Sequence, residues 1–285
     1  MNKYLLIMAG GAGTRLWPIS TTNNPKQFLK LYNDEIMINE TIKRVENLFD
    51  FDNIFIVINE SQKEMAKRYV DSKIPRDNII IEPMAKNTAM CIFYSTLKIK
   101  KMKGDGVIAV FSSDHYINNE KALQNSIQES LMIAEKNEYL VTIGIFPSYP
   151  ATCYGYLGVK EKNDENGYIV DEFKEKPNYE KALEYVESGH YFWNSGMFFW
   201  KTSVILKNFE ENLKDISFFQ NEIMKCINTE FESKKMMQIY QNIENISIDK
   251  GIMEKANSIR MVKADFEWSD IGNIKSYFDT LRFRL

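Results

Sequence analysis

A chain of 285 residues is long enough to bury a substantial core as one large α/β domain or two small ones. Its 44% hydrophobic and 26% charged content is ordinary for a soluble globular protein, and a formal net charge of −3 speaks against a surface built to coat nucleic acid. With only two histidines, His115 and His190, and no G-x-S-x-G, a metal centre of several imidazoles and a nucleophile-elbow hydrolase are both excluded.

The three cysteines, Cys91, Cys153 and Cys226, are scattered, as in a reducing compartment, and each is expected to be a small apolar core residue. No apolar run approaches the roughly 18 residues of a membrane helix. The N-terminal run breaks into glycines before it could serve as a signal segment. The expectation is a cytoplasmic protein with no membrane or nucleic-acid partner.

In chain order, YLLIMA (4–9) reads as a buried strand, followed by a glycine loop and a helix over 37–49. NIFIVIN (53–59), a short helix over 62–70 and the strand NIIIEP (78–83) come next. A helix over 88–102 has Asn87 or Thr88 placed to cap it. GVIAVFSSD (106–114), a helix over 121–137 and YLVTIGIF (139–146) complete the alternation. Continuous apolar strands separated by helices predict an α/β fold, Rossmann-like, with a mixed but mostly parallel central sheet and helices on both faces.

After Pro150 the texture changes. YGYLGVKE (154–161), YIVDEFKEK (168–176) and YFWNSGMFFWK (191–201) are strand-like, with a turn at ENG (165–167). Helices are expected over 179–188, 202–213, 217–227, 232–243 and 248–257, then a strand over 260–268, the tight WSDIG and a last helix. Without a linker or repeat, residues 1–285 read as one domain, with a nucleotide-facing half to about residue 150 and an acceptor-facing half beyond it.

The glycine loop behind the first strand fits neither of two common patterns. A dinucleotide fingerprint accommodates Gly11 and Gly13 but meets Leu16 where its third glycine belongs. A P-loop counted from Gly10 or Gly11 meets Arg15 or Leu16. What remains is a loop whose small residues let backbone N–H groups approach an anion. Arg15 and, a dozen residues on, Lys26 supply the charge that a triphosphate needs.

The stretch GGAGTRLWPISTTNNPKQFL (10–29) resembles the first motif of the sugar-1-phosphate nucleotidylyltransferases, and its W-P and K-Q-F are similar to the mannose-1-phosphate guanylyltransferase branch. The likeness continues in family order through EPMAKNTA (82–89), FSSDHYI (111–117), CYGYLG (153–158), FKEKP (173–177), WNSGMF (193–198) and WSDIG (268–272), so it covers nearly the whole chain.

Asp114 ends a central strand, where ligands of open α/β sheets bind, and Asp270 sits in a glycine-containing turn. Two carboxylates converging on one site suit Mg²⁺ that also takes phosphate oxygens. The resemblance implies that this pair is the metal site, with Arg15, Lys26 and Asp114 catalytic and His115 a structural neighbour. It further implies a nucleotide site of Gly10, Gly11, Gly13, Thr14, Arg15, Lys26, Glu82, Asn87 and Thr88, with Glu82 accepting from guanine. Gly155, Glu175, Lys176 and Asn194 would hold the sugar phosphate.

The implied reaction joins GTP and mannose 1-phosphate to give GDP-mannose and pyrophosphate. The alternatives are another pair, such as glucose 1-phosphate with dTTP or UTP, and a non-catalytic nucleotide-sugar-binding regulator. Departures from the family pattern stand at Lys86, usually arginine, and at Lys250 and Gly251 within SIDKGIMEK (247–255). Many relatives continue into a β-helical or isomerase segment. Because this chain ends at Leu285, no isomerase activity is expected, and a homodimer stays open.

Overall fold

Runs such as YLLIM and IFIVI are β-branched and apolar on both sides of the pleat, so they can be strands only where both faces of a sheet are covered. The protein is described here from a computed structural model over residues 1–11, 13, 16–164 and 166–282. Its first half runs β1 (Asn2–Met8), α1 (Met37–Val45), β2 (Ile54–Asn59), α2 (Lys63–Tyr69), β3 (Ile79–Glu82), α3 (Asn87–Lys103), β4 (Gly106–Ser112), β5 (Tyr116–Ile117), α4 (Glu120–Lys136) and β6 (Leu140–Ile145). The second half continues with β7 (Gly155–Asp164), β8 (Gly167–Glu175), α5 (Tyr179–Ser188), β9 (Tyr191–Lys201), α6 (Thr202–Asn212), α7 (Lys214–Ser217), α8 (Gln220–Cys226) and α9 (Glu232–Asn242). It closes with a π turn at Asp249–Met253, β10 (Ile259–Lys263), β11 (Trp268–Ser269) and α10 (Ile274–Arg282).

Among the described residues, nine strands form one sheet in the order β3-β2-β1-β4-β9-β6-β10-β8-β7. Alternate side chains of β1 enter opposite cores. Tyr4 and Leu6 pack with α3, α6 and α9, and Leu5 and Ile7 pack with α1, α2 and α4. The expected helices on both faces are therefore present. The sheet is mixed, as expected, but it is not mostly parallel. β1 pairs in parallel with β2 and β4, β2 with β3, and β6 with β10. Every pairing of β7, β8 and β9 is antiparallel. The reason lies in the connections: β7 and β8 are joined by a turn at Gly167 (φ +80°), and β9 runs back between β4 and β6 without a right-handed crossover.

Two further expectations shift. The helix over 248–257 reduces to the π turn, where Gly251 packs so closely on Leu213 that a Cβ would lie 2.8 Å from its Cδ1. Cys91 and Cys226 are buried as expected, but Cys153 is exposed, on the loop that leads into β7. No helix among the described residues is long and apolar enough to cross a membrane.

The topology gathers one edge of the sheet. β1 to β4 all end there, and β9, antiparallel to β4, begins there, so Asn194 faces the carboxyl ends of the parallel strands. Helix α1 then fixes the backbone around Asp114: Thr41 donates to Ser113 O at 3.3 Å and Arg44 to His115 O at 2.8 Å. Arg44 is itself buried and paired with buried Glu40 at 3.1 Å. Arg44→Met is expected to cost about 3–5 kcal/mol, because the Glu40 carboxylate would stay buried without its cation. Urea denaturation checks this, and Glu40→Gln in the same background should recover part of the loss.

Candidate active site

Two clefts open along that strand edge. One, of about 400 Å³, is lined by Gly10, Gly11, Gly13, Lys26, Glu82 and Asp114. The other, of about 680 Å³, is lined by Gly155, Glu175, Lys176, Asn194, Asp249 and Asp270. Asn87, Thr88 and Ser112 line both, so the clefts adjoin. Every described residue singled out from the sequence lies in one cleft or the other. Thr14 and Arg15 lie outside the described residues.

The glycine loop is held by its carbonyls. Asn59 donates to Gly10 O, Gln27 to Ala9 O and, at 3.0 Å, to Gly11 O, while Gln62 donates to Gly11 O at 3.1 Å. Gly13 has φ +65°, and a Cβ there would lie 2.9 Å from the backbone nitrogen of Lys26, so both conformation and space demand glycine. Asn59 and Gln62 were not singled out from the sequence. Only their position at the end of a strand and just past it could have flagged them.

Lys26 is 4% exposed, and its ammonium has three acceptors: Asp114 Oδ2 at 2.9 Å, Asp270 O at 2.5 Å and Ile271 O at 2.9 Å. It thereby joins the loop after β1, the end of β4 and the WSDIG turn. Asp270 is held in turn by Tyr154, whose hydroxyl donates to Oδ1 at 3.0 Å, and by Gly272 N at 2.9 Å. Tyr154 meets Trp193 and Trp268 edge-on, each at 5.1 Å. Ile271 has φ +46°, a costly conformation for a β-branched residue, and it is fully buried. Asn87 (φ +65°) and Lys176 (φ +51°) share this feature, so three such residues sit at or beside the clefts. His115 is buried and meets Trp268 edge-on at 5.2 Å, and burial pushes its imidazole down.

In the first cleft Glu82 ends β3 and accepts from the Tyr240 hydroxyl at 2.8 Å, and burial pushes its carboxyl up to about 7. Neither expected cap of α3 forms. Asn87 accepts from Thr88 N, and the Thr88 hydroxyl accepts from Ile248 N at 2.8 Å, docking the segment before the π turn. Lys86 donates to Ile243 O at 2.9 Å, which pins the same region from the other side.

In the second cleft Glu175 and Lys176 form an ion pair in which the carboxylate is buried and the ammonium 58% exposed. A Cβ on Gly155 would lie 2.8 Å from Glu175 Oε2, so glycine is what lets the two strands carry this carboxylate. Asn194 accepts from Thr142 at 3.0 Å and donates to Asp249 Oδ1 at 3.0 Å. Asp249 was not singled out, although the segment carrying it was. Burial first, and the nearby Glu175 charge second, push its carboxyl up to about 7.

The chain belongs to the nucleotidyl transferase family, which matches residues 4–285. It is 35% identical over 288 residues to a mannose-1-phosphate guanylyltransferase of Salmonella montevideo, covering 96% of this chain and 59% of that protein. It is 32% identical over 270 residues to one of Sinorhizobium fredii, covering 94% and 52%. The chain thus spans between half and three fifths of the length of these curated relatives. A crystal structure described as a mannose-1-phosphate geranyltransferase from Thermus thermophilus superposes with a TM-score of 0.86 at 30% identity, covering 96% of this chain and 77% of that one.

Asp249 makes a stability prediction. Its carboxyl is raised in the folded protein, so between about pH 4 and pH 7 the folded state holds a proton that the unfolded state has released. Its contribution to stability therefore falls as pH rises through that window. Asp249→Asn, which keeps the acceptor for Asn194 and cannot ionise, should match the parent's melting temperature near pH 4 and exceed it at pH 8. Thermal unfolding at the two pH values checks this.

Proposed function

We propose that the chain transfers a guanylyl group from GTP to mannose 1-phosphate, giving GDP-mannose and pyrophosphate. One observation carries the reading: two adjoining clefts meet at a seam where Lys26 ties Asp114 to the Asp270 turn. A nucleotide in one cleft and a sugar phosphate in the other would bring α-phosphorus and acceptor oxygen together there. The names of the relatives favour guanine and mannose over other pairs.

A phosphate oxygen of the sugar 1-phosphate attacks the α-phosphorus, a new P–O bond forms, and the bond to the β-phosphate breaks to release pyrophosphate. A phosphate monoester is largely dianionic near pH 7, so the step needs no strong general base. The protein's task is to orient the reactants and neutralise charge. The glycine loop would hold the triphosphate, with Arg15 adding charge as the family resemblance implies. Glu82 would accept from the N1–H and amino group of guanine. Glu175 and Asn194 would bind sugar hydroxyls, and Lys176, an exposed cation of the second cleft paired with Glu175, would take the sugar's phosphate.

The donor set at the seam fits Mg²⁺. Lys26 bonds both Asp114 Oδ2 and the backbone of the Asp270 turn, which brings the segment carrying the Asp270 carboxylate up to Asp114, and two such carboxylates are hard oxygen ligands. No cluster of three His, Cys, Asp or Glu able to hold a metal ion occurs among the described residues, so phosphate oxygens and water would complete the shell. When bound, Mg²⁺ would neutralise charge on the phosphates. Lys26 holds Asp114 and the Asp270 turn in place for it. A cytoplasmic location belongs to the same proposal, since both substrates are phosphorylated metabolites.

Pyrophosphate release across a matrix of nucleoside triphosphates and sugar 1-phosphates tests the substrate pair, with GTP and mannose 1-phosphate expected to give the highest kcat/KM. Asp114→Ala should lower kcat by about 100-fold or more. Lys176→Ala should mainly raise KM for the sugar phosphate, by about 10-fold. Near-normal turnover of Asp114→Ala with Mg²⁺ would sink the metal assignment.

A further inference from the structure

Glu82 is a carboxylate at the floor of the nucleotide cleft, 4% exposed. It pairs in register with Asn59 at the ends of β3 and β2, so its backbone is fixed by the sheet. Behind it, Tyr240 comes from α9, in the far half of the chain, and is fully buried. Its hydroxyl donates to Glu82 Oε1 at 2.8 Å. The thiol of Cys91, one turn into α3, lines the same cleft and favours the charged form of this carboxylate.

The other charged and titratable groups described around Glu82 are engaged elsewhere. Tyr94 meets Tyr240 edge-on at 6.4 Å, but its hydroxyl donates to Glu232, which also pairs with Lys98. In the cleft, Lys26 is held by Asp114 and two carbonyls, and Lys86 by Ile243 O. Among the described residues, two neutral donors and no cation therefore oppose the desolvation of Glu82.

We propose that Tyr240 is a specificity-determining positioning residue for the nucleobase. Its hydroxyl holds Glu82 in the orientation and charge state that accept from a base presenting two adjacent N–H donors. This rests on the reading of Glu82 as the residue that faces guanine. The hydrogen bond occupies Oε1 from behind and aligns the carboxyl group with the cleft. It favours the ionised form, whereas burial favours the neutral one. Without the hydroxyl, Glu82 would pass from about half ionised to mostly protonated near pH 7, and a protonated acid cannot accept two donors side by side.

The test is KM for GTP from pH 6 to pH 9 in the parent, Tyr240→Phe and Glu82→Gln, alongside kcat and KM for mannose 1-phosphate. In the parent, KM for GTP should rise as pH falls below about 7. In Tyr240→Phe that rise should move to higher pH by about one unit. KM would then be about 5-fold higher than the parent's at pH 7 and within 2-fold of it at pH 9, with kcat and acceptor KM unchanged. Cys91→Ala should shift the profile in the same direction and serves if Tyr240→Phe fails to fold. Glu82→Gln should raise KM for GTP at pH 8, flatten its pH dependence and reduce discrimination against ATP.

An unshifted profile in both donor variants, or a KM raised equally at every pH, overturns the inference while Glu82→Gln remains impaired. An unimpaired Glu82→Gln overturns the assignment of Glu82 to the base. Absence of GTP turnover in the parent overturns the proposed substrate instead.

Discussion

A buried ammonium must find acceptors, and Lys26 finds three of them in two segments far from it in sequence. Its bonds to Asp114 Oδ2, Asp270 O and Ile271 O draw the end of β4 and the turn after β11 onto the loop that follows β1. Any one of these bonds is modest on its own. Together they leave the ammonium no orientation to explore, and so they set where both aspartates stand. The positive φ of Ile271 is tolerable for the same reason: its carbonyl is held by Lys26, its N–H by Ser269, and its side chain by a buried cluster with Leu16, Tyr32 and Tyr116.

The two clefts differ in how they are built. The first cleft rests on parallel strand ends, whose positions follow from ladder hydrogen bonds, with the loop carbonyls taken by Asn59, Gln62 and Gln27. The second cleft rests on antiparallel strands β7, β8 and β9, which bring Gly155, Glu175 and Asn194 side by side. The segment from Ile246 to Asp249 lines the second cleft and is bonded to residues beside the first. Thr88 and Ala89, at the start of α3, bond its backbone, and Asp249 faces Asn194 in the second cleft.

Much of this architecture is legible in the sequence. The strands of the first half are readable because each is apolar on both sides, and the glycine loop because its spacing excludes two rivals. The residues of the sugar-phosphate cleft are named through family resemblance, since a run such as DEFKEK has by itself the pattern of a solvated strand face. The direction of β9 is not readable, because an apolar strand looks the same whichever way it runs. Asp249 escapes notice because a lone aspartate in a polar stretch carries no local signal of burial. Tyr240 escapes because its partner lies 158 positions away.

The alternation of strands and helices, the two-sided burial of β1 to β4 and the scarcity of histidine are all readable in the residues alone. These follow from side-chain periodicity and composition, which are local. The antiparallel half of the sheet, the joining of two distant segments by Lys26, and the pairing of Glu82 with Tyr240 and of Asn194 with Asp249 come from the folded chain. Those depend on which buried polar groups meet across long separations, and a buried donor takes whichever acceptor the packed chain sets beside it.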